Sequence, residues 1–255
     1  MKTSRILFWV LGVPLAIMAL LTIRQVIEIA ARTKGVSYEQ VPFNRKLPQP
    51  NPKFLFLGDS TAVGTGASDN QQSTAGYFAH DFPDAQIVNI SHNGKKIHEL
   101  LTELDSQTFD QYDLVVIQIG ANDILKFTPF KNIEEDIMKV IEKAKTFGRH
   151  IVILHSGNVG TAPIFHWPFD VIMTERSRKI RKIYIAQAKA HGVLYVDLFS
   201  ERNDDLFLTD VKRYYSPDLL HPSGDGYHWW YERIRQTMSQ AGIIFTPKRY
   251  DEPTI

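Results

Sequence analysis

Cysteine is absent from this 255-residue chain. That absence excludes disulfides, a thiolate nucleophile and cysteine-ligated zinc, although it does not reveal the compartment. Net charge is almost absent too: 29 lysines and arginines stand against 28 aspartates and glutamates, for a balance of +1. No global field exists to capture nucleic acid, and no dense basic stripe runs through the sequence, so nucleic acid is not an expected partner. No internal repeat, low-complexity tract or His-Glu-x-x-His signature occurs. His155, His166 and His228 do not stand at metal-ligand spacing and read as solvated or core histidines.

The remaining composition is that of a globular protein. Hydrophobic residues make up 44% and charged residues 22%, which suffices for a packed core and argues against wholesale disorder. The length suits one sizeable α/β domain or two small ones.

Long hydrophobic runs are scarce, with one exception. Ile6 to Ile23 carries no charge and is interrupted only by Gly12, Pro14 and Thr22. As a helix these 18 residues would extend roughly 27 Å, close to the hydrocarbon thickness of a bilayer. A buried core helix would usually keep a polar edge. A cleaved signal peptide has a shorter apolar region and a small-x-small site, which Glu28-Ile29-Ala30-Ala31 fits poorly. The stretch therefore reads as an uncleaved single-pass transmembrane anchor within residues 1–30. Lys2 and Arg5 on one side face Arg24, Arg32 and Lys34 on the other, so the positive-inside rule assigns no orientation.

Residues 31–52 hold Pro42, Pro48, Pro50 and Pro52 among polar residues and read as an extended tether. The globular domain is expected over 53–242, with a tail at 243–255. Short apolar runs bounded by turn residues predict buried strands at Phe54–Leu57, Gln86–Ile90, Leu114–Ile119, Ile151–Leu154 and Val193–Val196. Ile133, Ile137, Val140, Ile141 and Ala144 form a helical stripe, with Gly148 expected to stop that helix. Residues 171–190 and 223–240 also read as helices. Alternating strands and helices predict an α/β domain with a parallel sheet covered on both faces. In such sheets ligands sit beyond the carboxyl ends of the strands.

The chemically suggestive residues fall at those ends. Gly58-Asp59-Ser60 follows the first strand, Gly94 the second, and Gly120-Ala121-Asn122-Asp123 the third; Asp218-Leu219-Leu220-His221 precedes the last helix. A serine hydroxyl needs a base to take its proton, and His221 is the candidate. Asp218, three residues earlier, can fix the imidazole tautomer and orientation. The oxyanion formed on attack needs preorganised donors: the Ser60 N–H, the Gly94 N–H and the Asn122 amide are the candidates. Taken singly, Gly-Asp-Ser and Gly-x-Asn-Asp are ordinary turn chemistry and Asp-x-x-His an ordinary helix cap. Their joint order after successive strands carries the weight.

In these four blocks the chain resembles the SGNH hydrolases, also called GDSL esterases/lipases. The matching segments are Phe56-Leu57-Gly58-Asp59-Ser60, Asn93-Gly94, Ile119-Gly120-Ala121-Asn122-Asp123 and Asp218-Leu219-Leu220-His221-Pro222. The resemblance covers about residues 53–240. It implies a flavodoxin-like three-layer α/β/α sandwich with a central parallel sheet, here preceded by the N-terminal transmembrane helix. It also implies no metal, no organic cofactor and hydrolysis of acyl esters through a covalent acyl-serine. By the same match Ser60 is the nucleophile, His221 the base and Asp218 its partner, with Ser60, Gly94 and Asn122 forming the oxyanion hole. The loop Gly64-Thr65-Gly66 departs from the lipase-like members, so no lipase label is carried over.

Expected substrates are small-molecule, lipid or glycan acyl esters, with thioesters, O-acetylated sugars and lysophospholipids all open. The same acyl-serine would serve an acyltransferase, with an alcohol in place of water. A membrane-anchored binding protein with an inactive site is the reading from another class. It is disfavoured because every catalytic residue type is present. The resemblance places the catalytic domain on the extracytoplasmic side, since many anchored or exported members act on envelope or external esters. Two further stretches stand out. Trp229, Trp230 and Tyr231 read as packing the last helix onto the sheet. Thr161 to Pro168 reads either as part of an acyl pocket or lid, or as a loop packed on the core.

Overall fold

The computed structural model describes residues 12–33, 40–106 and 108–245. Residues 6–11 of the expected membrane span and residues 246–255 of the expected tail lie outside the described residues.

The first described element is a helix, α1 (Val13–Thr33), and the first described strand is β1 (Lys53–Gly58). A single helical turn, α2 (Ser60–Val63), and α3 (Thr74–Asp81) lead to β2 (Gln86–Asn89). Next come α4 (Ile97–Ser106), β3 (Tyr112–Gln118), the short α5 (Ala121–Leu125) and α6 (Phe130–Ala144). β4 (Gly148–Leu154), α7 (Phe169–His191) and β5 (Leu194–Tyr195) follow. The short α8 (Leu206–Thr209) and α9 (Val211–Tyr214) precede the closing α10 (Gly224–Gln240).

The five strands are all parallel and lie in the order β2-β1-β3-β4-β5. Phe54 to Leu57 and Leu114 to Ile117 have no solvent exposure. This is why those strands read as unbroken apolar runs rather than alternating ones. α3 packs against α10, while α4, α6 and α7 pack in a row. The result is a three-layer α/β sandwich. The chain leaves β1 for β2 on one side and crosses back to β3 on the other. The carboxyl ends of β1 and β3 therefore diverge around a crevice, the position at which open α/β sheets bind ligands.

The helical stripe predicted for α6 is buried, from Ile133 to Ala144. Gly148 does not stop that helix: α6 ends at Ala144, a turn closes through Thr146 N–H to the Lys143 carbonyl, and Gly148 begins β4 beside Tyr112. β5 has two paired residues, fewer than the four expected, because it lies at the sheet edge and pairs only through Leu194 and Tyr195.

Among the described residues no helix is long and apolar enough to cross a membrane. α1 does not end with the uncharged run at Ile23 but continues through Arg24, Glu28 and Arg32. Its second half meets the domain: Gln25 is buried and donates from its amide to the Ile164 carbonyl at 3.2 Å. Residues 40–52, within the stretch read as a tether, lie along the domain. The Arg45 backbone pairs with Ile87, and its guanidinium donates to the carbonyls of Ala79, Phe82 and Ala85. This covers the free edge of β2, a protection that exposed sheet edges require.

Candidate active site

Ser60 begins α2 directly after β1. Its neighbour Asp59 caps that turn, accepting from the Thr61 N–H at 2.9 Å and the Thr61 hydroxyl at 2.8 Å. The other Asp59 oxygen accepts from the Ala121 N–H at 3.3 Å. One fully buried carboxylate thus ties the serine turn to the start of α5, which carries Asn122. Burial raises the Asp59 pKa, and the hydrogen bonds from Thr61 act in the opposite direction.

The His221 Nε2 lies 3.0 Å from Ser60 Oγ, and its Nδ1 lies 2.6 Å from an Asp218 oxygen. Residues 161 positions apart in the chain are thereby joined into one hydrogen-bonded row. The turn from Asp218 to His221 is tight, with Leu219 at φ +62°. It is held by the second Asp218 oxygen, which accepts from the Ser216 hydroxyl at 2.5 Å and from the N–H groups of Leu220 and His221, each at 2.9 Å. Burial pushes the Asp218 pKa up. The hydrogen bond and charge of His221, together with the Ser216 hydroxyl, outweigh it and bring the carboxyl down to about 2. Asp218 is therefore a charged partner throughout the neutral range.

The Gly64-Thr65-Gly66 loop has a definite place. Gly66 has φ +102°, and a Cβ there would stand 2.5 Å from the Pro222 carbonyl and 2.8 Å from the His221 Cβ. The loop passes so close to the histidine turn that only glycine fits. Tyr227 donates to the Thr65 carbonyl at 2.7 Å, and Gln40 bonds both Gly66 and Ala67.

Gly94 and Asn122 line the same cavity as Ser60 and His221. Gly94 has φ +78° with open space where a Cβ would be, so its glycine answers the backbone conformation and not crowding. The Asn122 amide donates to the Lys95 carbonyl at 3.2 Å. An amide nitrogen carries two hydrogens, so a second donor is left for a ligand. Arg176 locks this segment in place. It donates to the carbonyls of Asp123, Ile124 and Thr128 and lies over the rings of Phe127 and Phe130 at 4.8 and 4.7 Å.

The cavity measures about 500 Å³. Away from the serine its wall is mostly apolar, with Ile29, Leu125, Val159, Ala162, Leu198, Phe207 and Trp229 beside the polar Asn158, Thr161, Ser200 and Asp205. Trp229 and Trp230 line the cavity besides packing α10, a role that reading them as packing residues alone did not include. In the Thr161 to Pro168 loop, Ile164 and Phe165 are buried in the core, as a packed loop requires, while Thr161 and Ala162 line the cavity. His155 is a core residue, held neutral by burial that lowers its pKa to about 4; His166 and His228 are exposed.

No local signal in the sequence marks Ser216, the bridging role of Asp59, Arg176, or the contacts of Gln25 and Ile29 on α1. Asp-Ser after a strand hints only at a capping aspartate.

The model of the GDSL-like lipase/acylhydrolase family matches residues 56–229, which include all four blocks. The chain belongs to this family. This GDSL-family protein is accordingly a hydrolase acting on ester bonds. Among solved structures it is similar to a lipolytic G-D-S-L family protein from Veillonella parvula, at 16% identity, covering 74% of this chain and 98% of that one with a TM-score of 0.57. TesA is similar at 19% identity over 74% of this chain and 98% of its own, TM-score 0.58. An acetyl xylan esterase from Geobacillus stearothermophilus is similar at 19% identity over 74% and 95%, TM-score 0.55. At these identities the likenesses speak for a shared fold. No curated protein matches the chain.

Proposed function

We propose that this GDSL-family hydrolase is a serine esterase that cleaves carboxylic acyl esters through a covalent acyl-serine at Ser60. The observation that carries the reading is the row Ser60–His221–Asp218, at 3.0 and 2.6 Å, opening onto an apolar cavity. His221 Nε2 takes the hydroxyl proton as Ser60 Oγ attacks the acyl carbonyl. Asp218 holds Nδ1–H and stabilises the imidazolium that forms. The carbonyl oxygen becomes an anion and receives the N–H groups of Ser60 and Gly94 and the Asn122 amide. Collapse expels the alcohol, which takes its proton from His221. Water, activated by the same imidazole, then releases the acid and restores Ser60.

Two features of placement belong to the same reading. The uncharged run Ile6–Ile23 serves as a single-pass anchor, supported by the exposed apolar residues Ile17, Leu20 and Ile23 in its described part. The catalytic domain stands on the extracytoplasmic side, by analogy with exported members of the family.

The test is turnover of p-nitrophenyl acetate by wild type and Ser60→Ala. The variant should lose at least about 10³ in kcat, roughly 4 kcal/mol of barrier, while remaining folded. Retention of activity by Ser60→Ala would refute the serine's role. Recovery of full-length protein in the supernatant after a carbonate wash of membranes would refute the anchor alone.

A further inference from the structure

α1 changes character at Arg24. Before it, Ile17, Met18, Leu20, Leu21 and Ile23 are 39–66% exposed. At about 100° per residue, Ile17, Met18, Leu20 and Ile23 point roughly 0°, 100°, 300° and 240° around the axis. A helix docked in a protein groove needs one narrow apolar stripe, whereas exposed apolar side chains over more than half of the circumference suit contact with lipid. Beyond Arg24 one face of the same helix meets the enzyme, while Ile27, 62% exposed, still points an apolar side chain outward. Gln25 is 6% exposed and donates to the Ile164 carbonyl, and Ile29 lines the cavity that holds Ser60.

The element that receives α1 is itself apolar on its outside. Three residues after Ile164 comes Trp167, 66% exposed, followed at the start of α7 by Val171, 53% exposed. Exposed large hydrophobic residues thus stand on α1 and just past its docking point, and neither group is needed to fill the core.

We propose that α1 is a wall of the catalytic pocket, and that the substrate is an acyl ester resident in a lipid surface whose acyl chain enters the cavity beside Ile29. The inference rests on the esterase and anchor readings and goes beyond them. An anchor on a free tether would leave the pocket at any angle to the bilayer. A helix that carries lipid-facing residues at one end and a pocket residue at the other fixes the pocket at the lipid boundary, with Arg24 marking the crossover. The apolar cavity wall then continues the path of an acyl chain leaving the lipid.

The experiment uses the full-length protein reconstituted in phosphatidylethanolamine/phosphatidylglycerol vesicles. It compares p-nitrophenyl palmitate dissolved in those vesicles with p-nitrophenyl acetate in the surrounding buffer. Wild type should favour the palmitate ester by about tenfold or more in kcat/KM. Ile29→Trp, which narrows the pocket, should reduce that ratio by about tenfold. The pair Trp167→Ser and Val171→Ser, outside the pocket, should reduce the ratio by roughly fivefold through weaker contact with the lipid. A wild-type preference for acetate, or a ratio unmoved by both changes, would overturn the inference while leaving the esterase standing. Failure to turn over either ester, with Ser60 unlabelled by a fluorophosphonate, would instead overturn the esterase reading and this inference with it.

Discussion

The two walls of the cavity are built by different physics. On one side Asp218 accepts hydrogen bonds from Ser216, Leu220 and the backbone and ring of His221, and His221 in turn meets Ser60. On the other, Ile29, Val159, Leu198, Phe207 and Trp229 contribute apolar surface from five separate segments. Hydrogen bonds are directional and short-ranged, so the first wall tolerates little displacement. Apolar contact is non-directional, so the second can be reshaped without changing the reaction. The comparison teaches that the hydrogen-bonded row and the apolar wall of one cavity are held by separable parts of the molecule.

Removing groups from the polar wall should have the largest effects. His221→Ala should lower kcat nearly as far as loss of the serine, on the order of 10³-fold, and Asp218→Asn less, because residues acting as a unit are not additive. Steady-state kinetics on a soluble ester checks the order; a greater loss with Asp218→Asn would require a different partner for the histidine. Asn122→Ala should cost about 10²–10³ in kcat with little change in KM, since its donor matters once the oxyanion develops. A raised KM with kcat preserved would make Asn122 a ground-state binding group.

Gly66→Ala tests the support beneath the polar wall. Its Cβ would meet Pro222 and His221, and a shift of the imidazole should cost roughly 10- to 100-fold in kcat. Gly94→Ala, where the space is open, should cost less than about tenfold, from backbone strain alone. Equal losses from the two substitutions would mean that Gly66 does not seat the histidine turn. The apolar wall should be the mildest case. Val159→Ala should alter kcat/KM by less than about tenfold, with the change growing with acyl-chain length in an ester series. A uniform loss across the series would couple the two walls and end their separation.

The same contrast governs what the sequence made legible. β1 and β3 could be read because strands buried on both faces are continuous apolar runs, and the candidate blocks at Ser60, Gly94 and Asn122 because each follows a strand end, while Asp218 to His221 lies between two helices. α4 was not singled out, although its buried Ile97, Leu100, Leu101 and Leu104 follow helical spacing. Ser216 was invisible because a serine hydroxyl two residues before an aspartate has many uses. Arg176 reaches carbonyls about 50 positions away in the chain, and Gln25 bonds Ile164 across 139 positions. Contacts of that range depend on the assembled fold and leave no local pattern. The apolar wall belongs to this second class throughout, which is why the ester-hydrolase family could be read from sequence while the cavity wall could not.

The most direct measurement is covalent labelling of the nucleophile. A fluorophosphonate should modify wild-type protein at one site, and mass spectrometry of the digested adduct should locate the label on Ser60. Ser60→Ala should remain unlabelled, and His221→Ala should label far more slowly because the hydroxyl has lost its base. A label on another residue, or equal labelling of wild type and Ser60→Ala, would contradict the assignment of Ser60 as the nucleophile.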